Sequence, residues 1–283
     1  MKNLLKLSIF AVMLLCSTAI YGQNKKMSNI ADSNNFSSNI YGYTFDMVYV
    51  QGGTFWQGCT SEQSDCYGDE KPEHRVTVDS YYIGKHEVTQ QLWQAVMGNN
   101  PSSFQGNNLP VENVSWNDIV GTSGDYMEIK GIKYYSNGFI YKLNKITGKK
   151  FRLPTESEWE FAARGGNKSQ KYRYSGSNST DNVGWYYGNS SNKTQTVGRK
   201  NANELGIYDM SGNVFEWCAD KYSDNYYQNS PSNNPQGADE GYLRVLRGGS
   251  WYGSARLCRV SIRNSGTSSD RDDRIGFRLA CSL

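Results

Sequence analysis

The sequence predicts an α+β fold, a compact single domain with sparse regular secondary structure. Helical patterns occur only in the first half of the chain, whereas the second half is rich in Tyr, Ser, Asn and Gly between short strand-like runs. The 283 residues include 29 Gly and 21 Tyr, which favours many tight turns and an aromatic core. The formal net charge of +3 is small and both signs are interspersed, so no nucleic-acid-binding surface is indicated.

The N-terminus has the features of a secretory signal peptide, which we assign to residues 1–22. Lysines precede an apolar run that is too short to span a bilayer, and small residues follow it. Cys16 raises the alternative of a lipoprotein, but the bulky Leu15 before it favours simple secretion to the periplasm, cell surface or medium. Residues 23–43 are rich in Asn and Ser and are predicted to be a disordered linker, which leaves residues 44–283 as the domain. No later run is apolar and long enough to cross a membrane.

Four helices are predicted, all before residue 165, each from a capping residue or apolar residues at helical spacing. They are residues 90–97 after Thr89, a short helix after Ser115, residues 139–147, and residues 156–164 after Thr155. The pattern Thr155-Glu156-Ser157-Glu158 is a capping box, in which each of the two end side chains accepts a hydrogen bond from the other residue's amide. A hairpin is predicted at residues 131–138.

The C-terminal segment contains three apolar runs that predict strands of a small sheet, at residues 243–246, 257–262 and 277–281. A Gly248-Gly249 turn and a polar loop at residues 264–274 connect them, and arginines occur throughout. Strands that hold polar loops in place are typical of a binding site.

The cysteines of a secreted chain are expected to form disulfides. Cys59 and Cys66 flank a short polar loop and are predicted to pair with each other. Cys218, Cys258 and Cys281 then remain, so one thiol is left without a partner within the chain.

A carboxylate-bearing turn is the strongest local motif. Asp209 and Glu216 bracket the residues Ser211-Gly212-Asn213. Two carboxylates and turn carbonyls supply the oxygen ligands that Ca²⁺ prefers. An ordinary Asp- and Gly-containing turn is the alternative.

Several motifs in order make the chain resemble the formylglycine-generating-enzyme family, also called the sulfatase-modifying-factor family. The resemblance covers the chain from Phe45 to Cys281 and implies a fold distantly similar to C-type lectins, with structural calcium. The motifs are Gly52-Gly53-Thr54-Phe55, Glu73-His74-Arg75-Val76, Glu87-Val88-Thr89, Phe151 to Gly165, Gly206 to Trp217, Arg247-Gly248-Gly249-Ser250-Trp251 and Ile275-Gly276-Phe277-Arg278.

The resemblance implies two calcium sites. The first would use the Asp209 and Glu216 side chains with the Gly212 and Val214 carbonyls. The second would use residues of a loop that is shorter here than in the family, namely Asn182, Val183 and Asn189.

The resemblance also bears on catalysis, because the family's enzymes oxidise a sulfatase cysteine to formylglycine with O₂ and Cu(I) held by two thiolates. The second thiolate corresponds to Cys258, but Gly253 stands at the position of the first. A single thiolate does not make the two-coordinate Cu(I) site, so we predict that the oxidase activity is lost. Cys258 is instead expected to form a disulfide with Cys218, with Cys281 as the odd thiol or as a replacement for one of the two.

The C-terminal loops are the predicted binding surface for an unknown protein or small ligand. Some relatives carry a segment diversified by retroelements between such a Gly-Gly-Ser-Trp turn and a Gly-Phe-Arg strand, and the composition here is compatible with that. The alternatives are an active oxidase that uses Cys258, and a structural component of an envelope or secretion assembly. The oligomeric state is left open. The predicted contact residues are Trp251, Tyr252, Ser254, Arg256, Leu257, Ile262, Asn264, Asp270 and Asp272.

Overall fold

The fold begins earlier than the sequence predicts. A computed structural model describes residues 34–283, and its first strand, β1, spans Phe36–Ile40. The predicted disordered linker at residues 23–43 is therefore wrong in its last part. Ser38 and Ile40 are buried while their neighbours are exposed, an alternation that the Asn- and Ser-rich composition concealed. The predicted signal peptide, with Cys16, lies outside the described residues.

The helices of the first half start and end where their caps predict. The Thr89 side chain accepts a hydrogen bond from the Leu92 amide, and the Thr155 capping box with Glu158 is complete. A short fifth helix was not predicted, because its four residues carry no apolar period. The helices are α1 (Gln90–Met97), α2 (Trp116–Val120), α3 (Phe139–Thr147), α4 (Glu156–Ala163) and α5 (Thr180–Val183).

Apart from short 3-10 helices, the rest of the regular structure in the described part of the chain consists of short strands. They are β2 (Tyr43–Val50), β3 (Gly53–Gln57), β4 (His74–Val78), β5 (Tyr81–Gly84), β6 (Tyr126–Ile129), β7 (Ile132–Tyr135), β8 (Phe151–Arg152), β9 (Phe215–Lys221), β10 (Leu243–Arg247), β11 (Asn264–Thr267), β12 (Ile275–Gly276) and β13 (Ala280–Cys281).

The C-terminal strands close both larger sheets. The five-stranded sheet has the order β1-β2-β5-β13-β8, so that β13 lies between two strands that come at least 128 residues earlier in the chain. The four-stranded sheet has the order β11-β10-β9-β12, with β12 parallel to β9 and the other pairs antiparallel. Strands β3 and β4 form a separate pair, and β6 and β7 form the predicted hairpin, which begins five residues before its predicted start.

Two predictions for the C-terminal segment are wrong. Residues 257–262 are not a strand, because Ala255–Cys258 forms a 3-10 helix and the chain then continues without strand pairing. Conversely, part of the predicted loop at residues 264–274 is strand β11, paired with β10. The alternation of apolar and polar residues at 257–262 predicts a strand with Arg259 on its exposed face. In the structure Arg259 is as buried as its apolar neighbours, because it pairs with the buried Glu70.

Helix α4 is buried on every side, including its three glutamates. Arg263 donates to both oxygens of Glu156, at 2.7 and 2.9 Å. Arg247 donates to Glu160 at 2.5 Å. Burying a charged pair is costly, and each partner is tolerated there only because the other compensates its charge. These ion pairs therefore attach the C-terminal segment to the central helix.

Half of the arginines that the sequence places in the C-terminal segment belong to the protein interior. They neutralise buried carboxylates in three other parts of the chain: the loop around Glu70, helix α4, and strand β9 at Glu216. The arginine-rich composition of this segment thus reflects internal ion pairing rather than a cationic surface. The buried arginines are Arg247, Arg259, Arg263 and Arg278.

Among residues 34–283, we find no helix with the length and apolarity needed to cross a membrane.

Burial of the ion pairs on α4 predicts a large loss of stability when one partner is removed. Arg247→Ala removes a buried cation that pairs with both Glu156 and Glu160, and it leaves Arg164 as the remaining partner of Glu160. We expect it to lower the free energy of unfolding by about 3 kcal/mol, the lower end of the range for breaking a buried ion pair. The matched control is Arg271→Ala, because Arg271 pairs with Asp118 at 2.6 Å but is 55% exposed; we expect a loss of about 0–1 kcal/mol. Chemical denaturation followed by tryptophan fluorescence measures both, and equal losses would contradict the argument.

Candidate functional site

The Gly248-Gly249 turn positions the residues that follow strand β10. Both glycines have positive φ, at 95° and 80°. A Cβ on Gly249 would lie 2.6 Å from the carbonyl oxygen of Leu257 and 2.8 Å from Cys258 Sγ, so a larger residue is excluded there. The turn thereby packs the chain at Ser250 and Trp251 closely against the 3-10 helix at Ala255–Cys258.

Trp251 is buried, so the prediction that it contacts a ligand is wrong. Its indole Nε1 donates to the Asp273 carbonyl at 2.9 Å, and its amide donates to the Asn213 carbonyl at 2.7 Å. Its ring packs edge-on against Phe104 and Tyr252, each with a centroid separation of 5.3 Å. Trp251 therefore links its own segment to the loops that contain Phe104, Asn213 and Asp273, and fixes their relative positions.

An exposed aromatic surface lies directly over Trp251. Tyr252 is 55% exposed and Tyr187 is 61% exposed, and their rings meet edge to face at 6.0 Å. The Tyr187 amide donates to the Gly253 carbonyl at 2.9 Å, and the Arg274 guanidinium lies 5.9 Å from the Tyr252 ring centroid. We call the patch formed by Tyr187, Tyr252, Ser254 and Arg274 the Tyr187–Tyr252 surface.

Sequence reasoning did not identify Tyr187 as part of this surface. The only signal was its place in a loop of Asn, Ser and Gly, where a large aromatic residue has little core to enter. The contact with Gly253 joins segments about 65 residues apart, and no local pattern predicts such a pairing.

Two more of the predicted contact residues lie beside this surface. Arg256 is exposed, but its guanidinium donates to the Asp65 carbonyl at 2.6 Å and lies over the Tyr67 ring at 4.2 Å. It therefore ties the segment to the loop closed by Cys59 and Cys66. Leu257 is half-buried.

The remaining predicted contact residues are dispersed. Ile262 is buried in the interior, so its prediction as a contact residue is wrong. Asn264 is exposed at the start of β11. Asp270 accepts hydrogen bonds from the amide and hydroxyl of Thr267, and so stabilises the turn after β11. Asp272 is half-buried and pairs with Arg274 at 2.6 Å, which places it at the edge of the Tyr187–Tyr252 surface.

One of the two predicted disulfides is present. Cys59 and Cys66 are bonded, whereas the predicted Cys218–Cys258 bond is wrong because both residues carry free thiols, as does Cys281. The reason is their location in separate apolar clusters. Cys218 packs in the main core, whereas Cys258 packs against Tyr174 and Val183.

The environment of Cys258 does not favour a thiolate. The residue is fully buried, and this burial raises the pKa of its thiol to about 12. Its Sγ lies 3.8 Å from the Ser254 carbonyl oxygen. A thiol in such surroundings is a weak nucleophile and a weak metal ligand at neutral pH.

The backbone conformation at position 253 does not require a glycine. Its φ lies outside the positive range, and a Cβ would make ordinary contacts, the nearest at 3.5 Å from Leu257 Cδ1 and from the Ser250 carbonyl oxygen. A cysteine could therefore be accommodated, and the missing thiol is not a consequence of the fold.

At the first predicted calcium site, Asp209 has a buried carboxylate oxygen without a donor among residues 34–283, whereas both oxygens of Glu216 already accept hydrogen bonds, from Arg278 and Trp159. Glu87, Asp209 and Glu216 are all buried, and, against the opposing effect of burial, the nearby charges of all three raise the pKa of the Arg278 guanidinium, which bonds directly to Glu216. Arg278 donates to both oxygens of Glu216 at 2.6 Å, while Asp209 Oδ1 is buried and accepts no hydrogen bond from the described residues. Burial together with the neighbouring Glu216 charge raises the pKa of Asp209 to about 6. A bound cation would compensate this excess of negative charge.

The ligand set at that site depends on main-chain oxygens. Within residues 34–283, no three His, Cys, Asp or Glu side chains are arranged to hold a metal. Asp209 would supply one free carboxylate oxygen, and Glu216 would have to coordinate while Arg278 and Trp159 hold it, so the Gly212 and Val214 carbonyls that the resemblance implies would be needed to complete the set.

The second predicted calcium site does not fit. Asn189 Nδ2 donates to the Gly184 carbonyl at 3.0 Å, and its Oδ1 accepts from the Tyr186 amide, so this side chain is already satisfied within the loop. Lys200 Nζ donates at 2.7 Å to the Asp181 carbonyl, next to Asn182 and Val183. The lysine charge at this position opposes a second cation.

Comparison with known proteins identifies the origin of these motifs. Residues 33–283 match the sulfatase-modifying factor enzyme 1-like domain family. The chaperone protein LppX of Paenibacillus barcinonensis is 37% identical over 254 residues, an alignment that covers 76% of this chain and 82% of that protein. The inactive C-alpha-formylglycine-generating enzyme 2 of Mus musculus is 32% identical over 210 residues, covering 69% of this chain and 56% of that protein. The chain spans only 38% of the length of several other curated relatives.

A solved structure agrees with the fold. Treponema denticola variable protein 1 superposes with a TM-score of 0.74 at 34% sequence identity, covering 88% of this chain and 99% of that one.

The cysteine geometry predicts how the thiols react. In the folded protein, Cys258 and Cys218 should resist alkylation by iodoacetamide at pH 8, because both are buried and burial raises the pKa of each. After unfolding without reductant, both should be alkylated in full, while Cys59 and Cys66 should remain bonded to each other. Peptide mapping by mass spectrometry measures this pattern, and a peptide cross-linked through Cys218 and Cys258 would contradict it.

Proposed function

Because the chain belongs to the sulfatase-modifying factor family, we propose that it is a secreted member without oxidase chemistry that binds a partner through its Tyr187–Tyr252 surface. The observation that carries the proposal is the state of the thiols. Gly253 supplies no thiol, and Cys258 is buried with its thiol pKa raised to about 12. A Cu(I) site of two thiolates would therefore lack its first thiol, and its second would be protonated at neutral pH.

The Tyr187–Tyr252 surface has the composition and rigidity of a binding surface. Tyrosine offers a large contact area with few rotatable bonds, and a polar group for orientation. Tyr252 is held by the buried Trp251, and Tyr187 by its main-chain bond to Gly253. Because these contacts exist before a partner arrives, little conformational entropy is lost on binding.

The same arrangement would tolerate sequence variation. Tyr252, Ser254 and Arg256 are exposed, while Trp251 and Ile262 are buried and carry the packing. Substitutions at the exposed positions would change what is bound and leave the interior intact. This separation supports the idea that the segment is a site of diversification, as the likeness to a protein named a variable protein also suggests.

Secretion and calcium complete the proposal. The Cys59–Cys66 disulfide is typical of proteins that reach an oxidising compartment. Calcium at Asp209 and Glu216 would neutralise buried negative charge next to Arg278. It would thereby stabilise the turn that contains Asn213, whose carbonyl accepts a hydrogen bond from the Trp251 amide.

The absence of oxidase chemistry is tested directly. Purified protein supplied with Cu(I), O₂ and a cysteine-containing sulfatase peptide should form no aldehyde above the level of a Cys258→Ser variant, measured by mass spectrometry and by reaction with an aminooxy probe. Aldehyde that forms with the wild type and disappears in Cys258→Ser would establish the oxidase instead.

The binding surface is tested by a matched pair of double variants. Tyr187→Ala with Tyr252→Ala should abolish the capture of partners by cross-linking in the source cells, because it removes the exposed aromatic area. The control is Tyr41→Ala with Tyr242→Ala, since these tyrosines are 80% and 78% exposed elsewhere. A partner retained by the first pair, or lost equally from both, would place the interface on another surface.

Calcium is tested by thermal unfolding. At a concentration of about 100 times its Kd, Ca²⁺ should raise the Tm by roughly 5–10 °C relative to chelator, because it binds the native state alone. Asp209→Ala should lose this shift, and Asn189→Ala, from the second predicted site, should keep it. The same shift in wild type and Asp209→Ala would contradict the assignment.

A further inference from the structure

A cavity of about 500 Å³ lies on a different part of the surface, between strand β3, the disulfide loop and the end of helix α4. This volume is in the range of small-molecule sites, which is roughly 300–1,000 Å³. None of its lining residues belongs to the Tyr187–Tyr252 surface, so the inference below is independent of the proposed function. The residues used in the argument are Phe55, Trp56, Glu62, Glu73, Arg164 and Lys171.

One wall of the cavity carries an exposed aromatic side chain, Trp56, whose cross-strand neighbour on β4 is Arg75. Trp56 lies at an outward position of β3 and is 53% exposed. Its neighbour Phe55 also lines the cavity and packs against Phe161, with ring centroids 5.2 Å apart. An indole held on a strand beside a cavity offers a flat apolar face to a ligand.

The opposite wall is rigid before any ligand binds. Arg164 is buried and donates to the Gly58 carbonyl at 2.7 Å, to Thr60 Oγ1 at 2.9 Å and to Glu62 at 2.6 Å. The Cys59–Cys66 disulfide closes the same loop. The loop that forms this wall is thus fixed by a buried side chain and by a covalent bond.

The four charged side chains that line the cavity are two acids and two bases, and the further base Arg75 lies across from Trp56 outside the lining. Glu62 and Arg164 are paired with each other, which leaves Glu73 and Lys171 at the rim with opposite signs. A site for a cation or an anion would need an excess of the other sign. Threonine, serine and asparagine side chains supply the remaining polar groups. The lining therefore suits a neutral ligand that has both an apolar face and many hydroxyl groups.

We propose that this cavity binds a neutral saccharide, with the C–H face of one sugar ring against Trp56 and its hydroxyl groups towards Glu73 and Lys171. A sugar ring combines an apolar face with a rim of hydroxyls, which matches an indole bordered by a carboxylate and an ammonium group. Hydroxyls both donate and accept, so they can bond to Glu73 and to Lys171 at once.

The test is an NMR titration of the full chain labelled with ¹⁵N. The probes are glucose, galactose, N-acetylglucosamine, maltose, lactose and chitobiose at millimolar concentrations, with putrescine and inorganic phosphate as charged comparators. At least one saccharide should shift the Trp56 indole N–H signal, which is identified by its absence in Trp56→Phe. Trp56→Ala should raise the Kd at least about tenfold, and Trp56→Phe should raise it by less, because an aromatic ring remains.

Glu73→Gln keeps the shape of the site and removes one strong acceptor, so it should weaken binding several-fold. Tyr252→Ala, on the other surface, should leave the Kd unchanged and thus separates this site from the proposed partner surface. All these side chains are exposed, and thermal unfolding of each variant checks that the fold is intact. The proposal is overturned if no saccharide shifts the indole signal, if Trp56→Ala binds as well as wild type, or if only putrescine or phosphate binds.

Discussion

Buried ion pairs between arginine and glutamate are the interaction on which this structure depends. Helix α4 exposes none of its eight residues, yet three of them are glutamates. Glu156 and Glu160 are neutralised by Arg263 and Arg247 from the C-terminal segment. Charges cannot remain in the interior without such partners, so the helix and the segment must be assembled together. The pairing also selects one arrangement of the segment, because another register would leave charges uncompensated.

The exposed surfaces take their rigidity from this interior. The buried arginines fix the segment around the Gly248-Gly249 turn. Trp251, which follows this turn, packs against the surrounding loops, and the Tyr252 ring packs against Trp251. Arg259 and Glu70 join the same segment to the disulfide loop, which forms a wall of the cavity proposed to bind a saccharide. Both proposed binding surfaces thus depend on segments that buried charges hold in place, and polar loops remain ordered although the chain has little regular secondary structure.

Local rules account for the parts of the fold that were predicted correctly. The caps at Thr89, Ser115 and Thr155 define helix starts because each side chain bonds to an amide only three residues away. The Cys59–Cys66 bond was predicted for the same reason, since a short loop keeps the two thiols close. The strand and disulfide predictions in the C-terminal segment failed where distant partners decide, as Glu70 does for the burial of Arg259.

The sequence by itself determined the family, the starts of the first four helices, the loop disulfide and the missing thiol at Gly253, because each is a property of residue types at short spacing. Only the tertiary structure decided which arginines are buried, that Cys218 and Cys258 pack in different clusters, and that Tyr187 stands beside Tyr252. Exposure and pairing depend on which distant segments meet. A residue's type and its neighbours in the chain do not contain that information, so the chemistry of the surface could be read only after the chain was folded.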